Sequence, residues 1–161
     1  MMKRYLITLA ASFLLFATTL APDAHAQRNP GNLGIGLGSA TLASGLSVKQ
    51  FAGPTAFQLT AGCWRSHCSN GVAASLDFLI NMPALSTSQF LSVAWNFGGG
   101  GALGVGEGSL GAAAAFILGL EVNFQAIPID LVLEWRPALR ILDSIGISPF
   151  GAGAHLRFYL F

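Results

Sequence analysis

The sequence contains very little charge. Of its 161 residues, 9% are Asp, Glu, Lys or Arg, whereas 53% are hydrophobic; an average soluble domain has about a quarter of its residues charged. A chain of this composition indicates either a membrane protein or a globular protein with little solubilising surface. Its 20 glycines argue against a helical core, because each glycine inside a helix costs about 1 kcal/mol relative to alanine.

Long apolar runs are also missing after residue 26, where glycine, proline or polar residues interrupt every stretch. A membrane-spanning helix needs about 20 mostly apolar residues. The single long run, Tyr5–Leu20, follows a Lys-Arg pair and precedes the small-residue motif Ala24–Ala26. This order is typical of a secretory signal peptide. We therefore predict a cleaved signal peptide over residues 1–26 and an exported barrel domain over residues 27–161, with an uncleaved anchor as the weaker alternative.

No excess of either charge remains once residues 1–26 are set aside, since six basic and six acidic residues are left. The chain has no basic stripe for a nucleic acid and no polybasic run for anionic lipid headgroups. We expect no nucleic-acid partner, and no motif indicates a cofactor.

Only two cysteines are present, Cys63 and Cys68. In an exported protein this pair favours a disulfide that closes a tight loop. The alternative is a metal site made of Cys63, His67 and Cys68. That set lacks a fourth ligand at a recognisable spacing, so we predict a disulfide and no metal.

What the chain does contain is alternation. In Ile129–Arg136 the odd positions are large and apolar, and three of the four even positions are charged. Successive side chains of a strand point to opposite faces, so this octet has one apolar and one charged face. We predict that Gly98–Gly111 forms the longest loop, and the composition of Ala112–Ala115 is compatible with either a strand or a helix. The same alternation predicts eight strands, at residues 33–38, 45–52, 55–64, 72–81, 89–97, 112–124, 129–136 and 150–161.

The charged residues within these strands all lie opposite the large apolar ones, if the boundary residue Asp130 is left aside. A membrane barrel places lipid outside and polar groups inside, and eight strands leave a lumen that side chains can fill. The charged residues on this face are three cations and three anions, so that every charge can have a partner in the lumen: Lys49, Arg136 and Arg157, with Asp77, Glu121 and Glu134. We predict an all-β fold, a single eight-stranded antiparallel up-and-down transmembrane β-barrel with a side-chain-filled lumen. The predicted lumen charge network is Lys49, Asp77, Glu121, Glu134, Arg136, His155 and Arg157.

The strand count also orients the chain. An even number of strands places both termini on the periplasmic side, so that the cysteine loop becomes the second external loop. Trp64 and Trp135 are then expected at the outer membrane interface, where indole rings are favoured.

Four stretches carry a resemblance to a known family: Leu33–Ser44, with its alternating glycines, Phe116–Asn123, Leu131–Leu139 and Gly151–Phe161. The chain resembles the small OmpA/OmpX-type outer-membrane β-barrels and is most similar to an uncharacterised outer-membrane β-barrel family. The resemblance implies that Phe161 is a terminal signal read by the outer-membrane assembly machinery. Phe161 departs from the family pattern because it shares parity with Arg157, which a bulge near the end of the strand would reconcile.

Three functions follow as hypotheses. The first is a non-enzymatic barrel in the outer membrane of a diderm bacterium, with a structural or surface-interaction role through its external loops and without an open pore. Its partners would be the lipid bilayer, lipopolysaccharide and the assembly machinery.

The second hypothesis is a lipid-modifying enzyme on the same barrel, with His155 as the candidate base. A hydrogen-bonded lumen histidine is the plainer interpretation of His155, and we therefore predict no catalytic residues. The third is a soluble lipocalin-like ligand-binding barrel with its apolar face inside.

Overall fold

A computed structural model describes residues 27–64, 67–106, 108–142 and 145–160. The predicted signal peptide and the predicted assembly signal Phe161 lie outside these ranges. Strands are the only regular secondary structure over the described ranges. Within them, no helix is long and apolar enough to cross a membrane.

Eight antiparallel strands form a closed up-and-down barrel. Each strand pairs with its neighbours in the chain, and the last pairs with the first, with Leu33 opposite Leu160. The predicted eight-stranded antiparallel barrel is therefore confirmed. The strands are β1 (Leu33–Ser39), β2 (Ala43–Ala52), β3 (Thr55–Trp64), β4 (His67–Asn81), β5 (Leu91–Gly106), β6 (Ser109–Phe124), β7 (Ile129–Trp135) and β8 (Ala152–Leu160).

Three short strands extend this barrel. Ser86–Thr87 pairs with β5 in the connection after β4. Beyond β7, Ala138–Arg140 pairs both with β6 and with Gly146–Ser148. The segment predicted as a loop between Pro137 and Pro149 therefore contains a short hairpin, which continues the sheet above one side of the barrel.

The two faces of the sheet differ as the alternation predicts. In β7, Leu131, Leu133 and Trp135 are exposed on the outer surface, while Val132 and Glu134 are buried inside. A lipocalin-like barrel would have the opposite orientation. The large apolar side chains exposed on the other barrel strands include Leu37, Leu46, Phe57, Leu59, Leu76, Phe78, Leu103, Phe116, Leu118, Leu120 and Leu156.

The glycine-rich segment differs from its prediction as a loop. Gly98–Gly106 belongs to β5, which forms a hairpin of 16 residue pairs with β6, and Ala112–Ala115 is strand. A Cβ atom added at Gly98 would collide with the Phe78 carbonyl oxygen on β4. Glycine therefore permits close approach of the strands here, and pairing on both sides of β5 outweighs its poor strand propensity.

The two ends of the barrel differ. We call the end that carries the β1–β2, β3–β4, β5–β6 and β7–β8 connections the mouth, and the end that carries residues 27–32 the base. At the base the Gln27 side chain is buried and donates hydrogen bonds to the carbonyl oxygens of Phe124, Ile127 and Ile129, at 3.0, 3.1 and 3.3 Å. These bonds fasten the segment before β1 across the base.

Candidate functional site

Polar and charged side chains occupy the interior, and glycines on neighbouring strands leave space for them. Gly34, Gly36 and Gly38 of β1 lie directly opposite Tyr159, Arg157 and His155 of β8. A Cβ atom at Gly38 would collide with the imidazole of His155. The glycine alternation of β1 thus complements the large polar residues of β8 in shape.

Arg136 anchors the polar cluster nearest the mouth. Its guanidinium donates to Glu134 at 2.5 Å, to Asp77 at 2.8 Å and to the Thr41 hydroxyl at 3.1 Å. Asp77 also accepts a hydrogen bond from Ser75 at 3.0 Å. All except Thr41 are buried, and removing one partner of a buried ion pair costs about 3–5 kcal/mol. The two carboxylates therefore hold Arg136 across the barrel.

His155 links this cluster to β2. Its Nδ1 lies 2.9 Å from the Ser47 hydroxyl oxygen, and its Nε2 lies 3.2 Å from Glu134 Oε2. A proton on Nε2 would donate to Glu134 and leave Nδ1 to accept from Ser47. Serine, imidazole and carboxylate thus follow one another as they do in nucleophilic hydrolases. Ser47 is fully buried, so no substrate reaches its hydroxyl in this conformation.

Gln58 connects the mouth cluster to a second ion pair deeper in the barrel. Its Nε2 donates to Glu134 at 3.0 Å and to Asp77 at 3.2 Å, while its Oε1 accepts from Arg157 at 2.6 Å. Arg157 in turn donates to Asp130 through Nε and Nη2, the latter at 2.9 Å. The Tyr159 hydroxyl completes the cluster by donating to Asp130 at 2.8 Å.

A separate cluster lies near the base. Lys49 donates to Glu121 at 2.5 Å, and Arg28 donates to the same carboxylate at 3.1 Å. Asn96 contributes a further hydrogen bond to Glu121 at 3.3 Å. Arg28 also donates to the Met82 carbonyl oxygen at 2.7 Å, so the segment before β1 both covers the base and contributes a charge to the interior.

The structure places all seven predicted network residues in the interior, in two groups. Asp77, Glu134, Arg136, His155 and Arg157 belong to the connected cluster towards the mouth, whereas Lys49 and Glu121 form the base cluster. Asp130, Gln58 and Arg28 also belong to these clusters and were not among the predicted network residues. Asp130 lies at an even position of Ile129–Arg136, as Glu134 does. The alternation of this stretch therefore predicts that the Asp130 side chain faces the interior. Arg28 precedes the first strand, and the alternation gives no signal for it.

The two predicted interface tryptophans have different environments. Trp135 is exposed on the outer surface and donates from Nε1 to the Pro149 carbonyl oxygen at 3.0 Å. The prediction for Trp64 is wrong: its side chain is 4% exposed and packs inside the barrel with Ala43 and Ala73. Its parity matches that of Gln58 and Thr60, and Gly104 and Gly111 leave room for the indole.

Cys63 and Cys68 form a disulfide, as predicted. It joins the end of β3 to the start of β4, where the register of this pair shifts between Cys63 and Trp64. Over the described ranges, no group of three or more His, Cys, Asp or Glu side chains is arranged to hold a metal ion. The cysteine pair therefore staples the hairpin at the mouth.

A cavity of about 490 Å³ lies at the mouth. The β1–β2 turn and the β7–β8 connection form its walls, which include Thr41, Leu42, Arg136, Arg140 and Phe150. Leu42 has a φ of 63°, a left-handed conformation that is uncommon for a residue other than glycine. The cavity thus combines cationic and apolar groups at the mouth of the barrel.

No family model, curated protein or solved structure matches the chain. Function therefore has to be argued from the barrel itself. Its geometry supports two kinds of role: ion pairs that fasten the strands from inside, and recognition by the residues at the mouth.

Proposed function

We propose that the chain is a small integral outer-membrane β-barrel of the OmpA/OmpX type, with a structural or surface-interaction role through its mouth connections and without an open pore. Residues 1–26 would direct its export, and the outer-membrane assembly machinery would insert it from the periplasmic side. Its outer surface would contact lipid and lipopolysaccharide.

One observation carries this proposal: among the described residues, no charged side chain is exposed, whereas 28 large apolar side chains are. A soluble monomer rarely exposes an apolar patch of more than a few hundred Å². In a bilayer the same surface needs no water, and closure satisfies the hydrogen bonds of the backbone. The distribution of charge therefore favours hydrocarbon around the barrel.

The interior supports the absence of a pore. Arg136, Arg157, Gln58 and Lys49 are each at most 1% exposed, and Gln27 with Arg28 covers the base. The role is thereby left to the surfaces outside the membrane, and the mouth is the end that carries a cavity. Its exposed apolar residues, such as Ile145 and Phe150, would be available to a partner.

A fractionation experiment tests this proposal. The full chain should be recovered with outer membranes, require detergent for solubility, and run at different positions on a gel before and after boiling. A single position on the gel together with solubility in plain buffer would refute the membrane barrel.

A matched pair of variants tests the outer surface directly. Leu133→Arg places a cation on the outer face of β7, and should lower the free energy of unfolding in lipid vesicles by about 2–4 kcal/mol. Leu85→Arg, in the connection after β4 where Leu85 is exposed, serves as the control and should have little effect. Equal stability of the two variants would mean that the β7 face does not meet hydrocarbon.

A second candidate function rests on Ser47, His155 and Glu134, whose order suits a lipid-modifying hydrolase. Burial of Ser47 disfavours it, because an acyl substrate would have to displace the side chains around it. An activity-based fluorophosphonate probe, compared between the wild type and Ser47→Ala, decides the matter. Labelling that depends on Ser47 would support a hydrolase, and its absence in intact membranes would leave the polar cluster with a structural role alone.

A further inference from the structure

The cavity at the mouth differs from the interior clusters in its balance of charge. Nine charged side chains lie in the described residues, and eight of them belong to the clusters inside the barrel, four of each sign. Arg140 is the ninth. It lines the cavity and forms no ion pair within the described part of the chain. Among the described residues, Arg140 is therefore the one charged side chain at the mouth without a counter-charge.

Arg140 is also short of a hydrogen bond. Its Nε is buried and has no hydrogen-bond partner among the described residues. A buried donor without a partner costs about 1–3 kcal/mol, and more when the group is charged. Guanidinium groups suit carboxylate and phosphate oxygens in particular, because their N–H groups form a planar fork.

Neighbouring groups in the cavity favour the same kind of ligand. Arg136 adds a second guanidinium, although Glu134 and Asp77 already compensate its charge. Thr41 and Ser148 supply hydroxyl groups in the lining. Pockets of about 300–1,000 Å³ commonly hold small organic molecules, so the volume of this cavity accommodates more than an inorganic ion.

The remainder of the lining is apolar. Phe150 is 90% exposed and Ile147 is 76% exposed, and both line the cavity together with Leu42 and Pro149. Covering such side chains with an apolar chain gains about 25 cal/mol for each Å² removed from water. The cavity thus offers an apolar wall next to Arg140, which has no counter-charge within the described ranges.

We propose that the cavity at the mouth binds an amphiphilic oxyanion, a carboxylate or phosphate carried on an apolar chain, with Arg140 donating to the oxyanion and Leu42, Ile147 and Phe150 covering the chain. This proposal does not depend on the membrane, since the same mouth would be present on a barrel in water. A failure to bind the anion would therefore leave the proposed function intact.

The test uses the full barrel, labelled with nitrogen-15, in micelles of a neutral maltoside detergent. Octanoate is titrated in while the Arg140 Nε–H resonance and the backbone amide of Ser148 are followed by nuclear magnetic resonance. The amide of Ser86, at the base, reports non-specific partitioning into the micelle. We expect a saturable shift at Arg140 and Ser148 that is absent at Ser86.

Variants and other ligands identify what is bound. Arg140→Gln should weaken octanoate binding at least tenfold, measured at the Ser148 amide, and Arg140→Lys should restore part of it. Ser148→Asp should weaken binding through repulsion, whereas Ser86→Asp should not. Heat-dependent gel mobility confirms that each variant is folded.

Monooctyl phosphate, acetate and octylammonium complete the set of ligands. Tighter binding of octanoate identifies a free carboxylate amphiphile, and tighter binding of monooctyl phosphate identifies a phosphate headgroup; both outcomes support the proposal. It is overturned if octanoate produces no saturable shift, if Arg140→Gln binds octanoate as the wild type does, or if acetate or octylammonium binds as tightly as octanoate.

Discussion

Individual residues in the interior act mainly through their partners. Asp130 illustrates this because it accepts hydrogen bonds from both Arg157 and Tyr159 in a fully buried position. Asp130 therefore contributes to the stability of the barrel through both partners. It is the only carboxylate within hydrogen-bond distance of Arg157 among the described residues.

Replacement of Asp130 should destabilise the barrel strongly. In Asp130→Leu the Arg157 guanidinium keeps Gln58 as a partner but loses its counter-charge, and we expect a loss of about 3–5 kcal/mol. Urea unfolding in lipid vesicles, followed by tryptophan fluorescence, measures it. The double variant Asp130→Leu with Arg157→Met removes both charges and should recover most of the loss. A double variant as unstable as the single one would show that the loss does not come from leaving Arg157 without a counter-charge.

Glycines at the interior face should be sensitive to a single methyl group. In Gly38→Ala the new Cβ would collide with the His155 imidazole, and overpacking of this kind costs about 1–3 kcal/mol. Gly99 lies on the outer face, where a Cβ would meet only the Ala115 carbonyl oxygen at 3.5 Å. Gly99→Ala is the matched control and should be neutral or stabilising by up to about 1 kcal/mol. Unfolding midpoints of the two variants check this difference, and equal midpoints would contradict it.

Strands reveal what could be predicted from the sequence and what could not. The alternation in β7 specified which side chains face inwards, because a strand has a period of two residues whatever its neighbours are. The ends of β5 and β6 were not predictable in the same way. Gly98–Gly106 has the composition of a loop, and only the close approach of β4 makes these glycines useful in a strand.

Two further residues, Trp64 and Arg28, show where prediction from the sequence failed. The interface prediction for Trp64 rests on the general preference of indole rings for membrane interfaces, whereas its parity in β3 indicates a side chain that faces inwards. The local pattern was the better guide there. Arg28 contacts Glu121 from 93 positions away in the sequence, and no local pattern encodes a contact of that range. The strand faces were thus predictable, whereas the composition of the base cluster required the closed barrel.

The disulfide acts on one hairpin, so its removal should have a limited effect. Cys63 and Cys68 are five positions apart, and closing so short a loop stabilises a chain by about 2 kcal/mol in the entropic description. Cys63→Ala with Cys68→Ala should lower stability by that amount and still give a heat-dependent shift in gel mobility. Addition of a reductant should reproduce the loss in the wild type and leave the double variant unchanged. A barrel that fails to fold without the disulfide would refute this view.

The molecule as a whole joins two properties that would be incompatible in water: an apolar exterior and a charged interior. Closure of β8 onto β1 removes the sheet edges and encloses the ion pairs, and the surrounding bilayer of the proposed function accommodates the apolar exterior. Each cluster then ties together strands that are not neighbours, such as β2 to β6 through Lys49 and Glu121. The interior charges thus brace the cross-section of the barrel, a role that does not require them to move or to react.

The same arrangement predicts that the barrel conducts no ions. An ion crossing from mouth to base would have to pass the buried Arg157 and Gln58 layer and then the buried Lys49–Glu121 pair, and transfer of an ion into such a medium costs several kcal/mol. In planar lipid bilayers the wild type should give no stepwise conductance, while an open porin prepared in the same way provides the positive control. Arg28→Ala uncovers part of the base but leaves the Arg157 layer in place, and should stay silent. Gln58→Ala with Arg157→Ala removes that layer but leaves Lys49, Glu121 and Arg28 at the base, and should also stay silent if the variant still shows a heat-dependent gel shift. Regular conductance steps in the wild type would mean that the interior opens, and would assign the polar clusters a part in permeation.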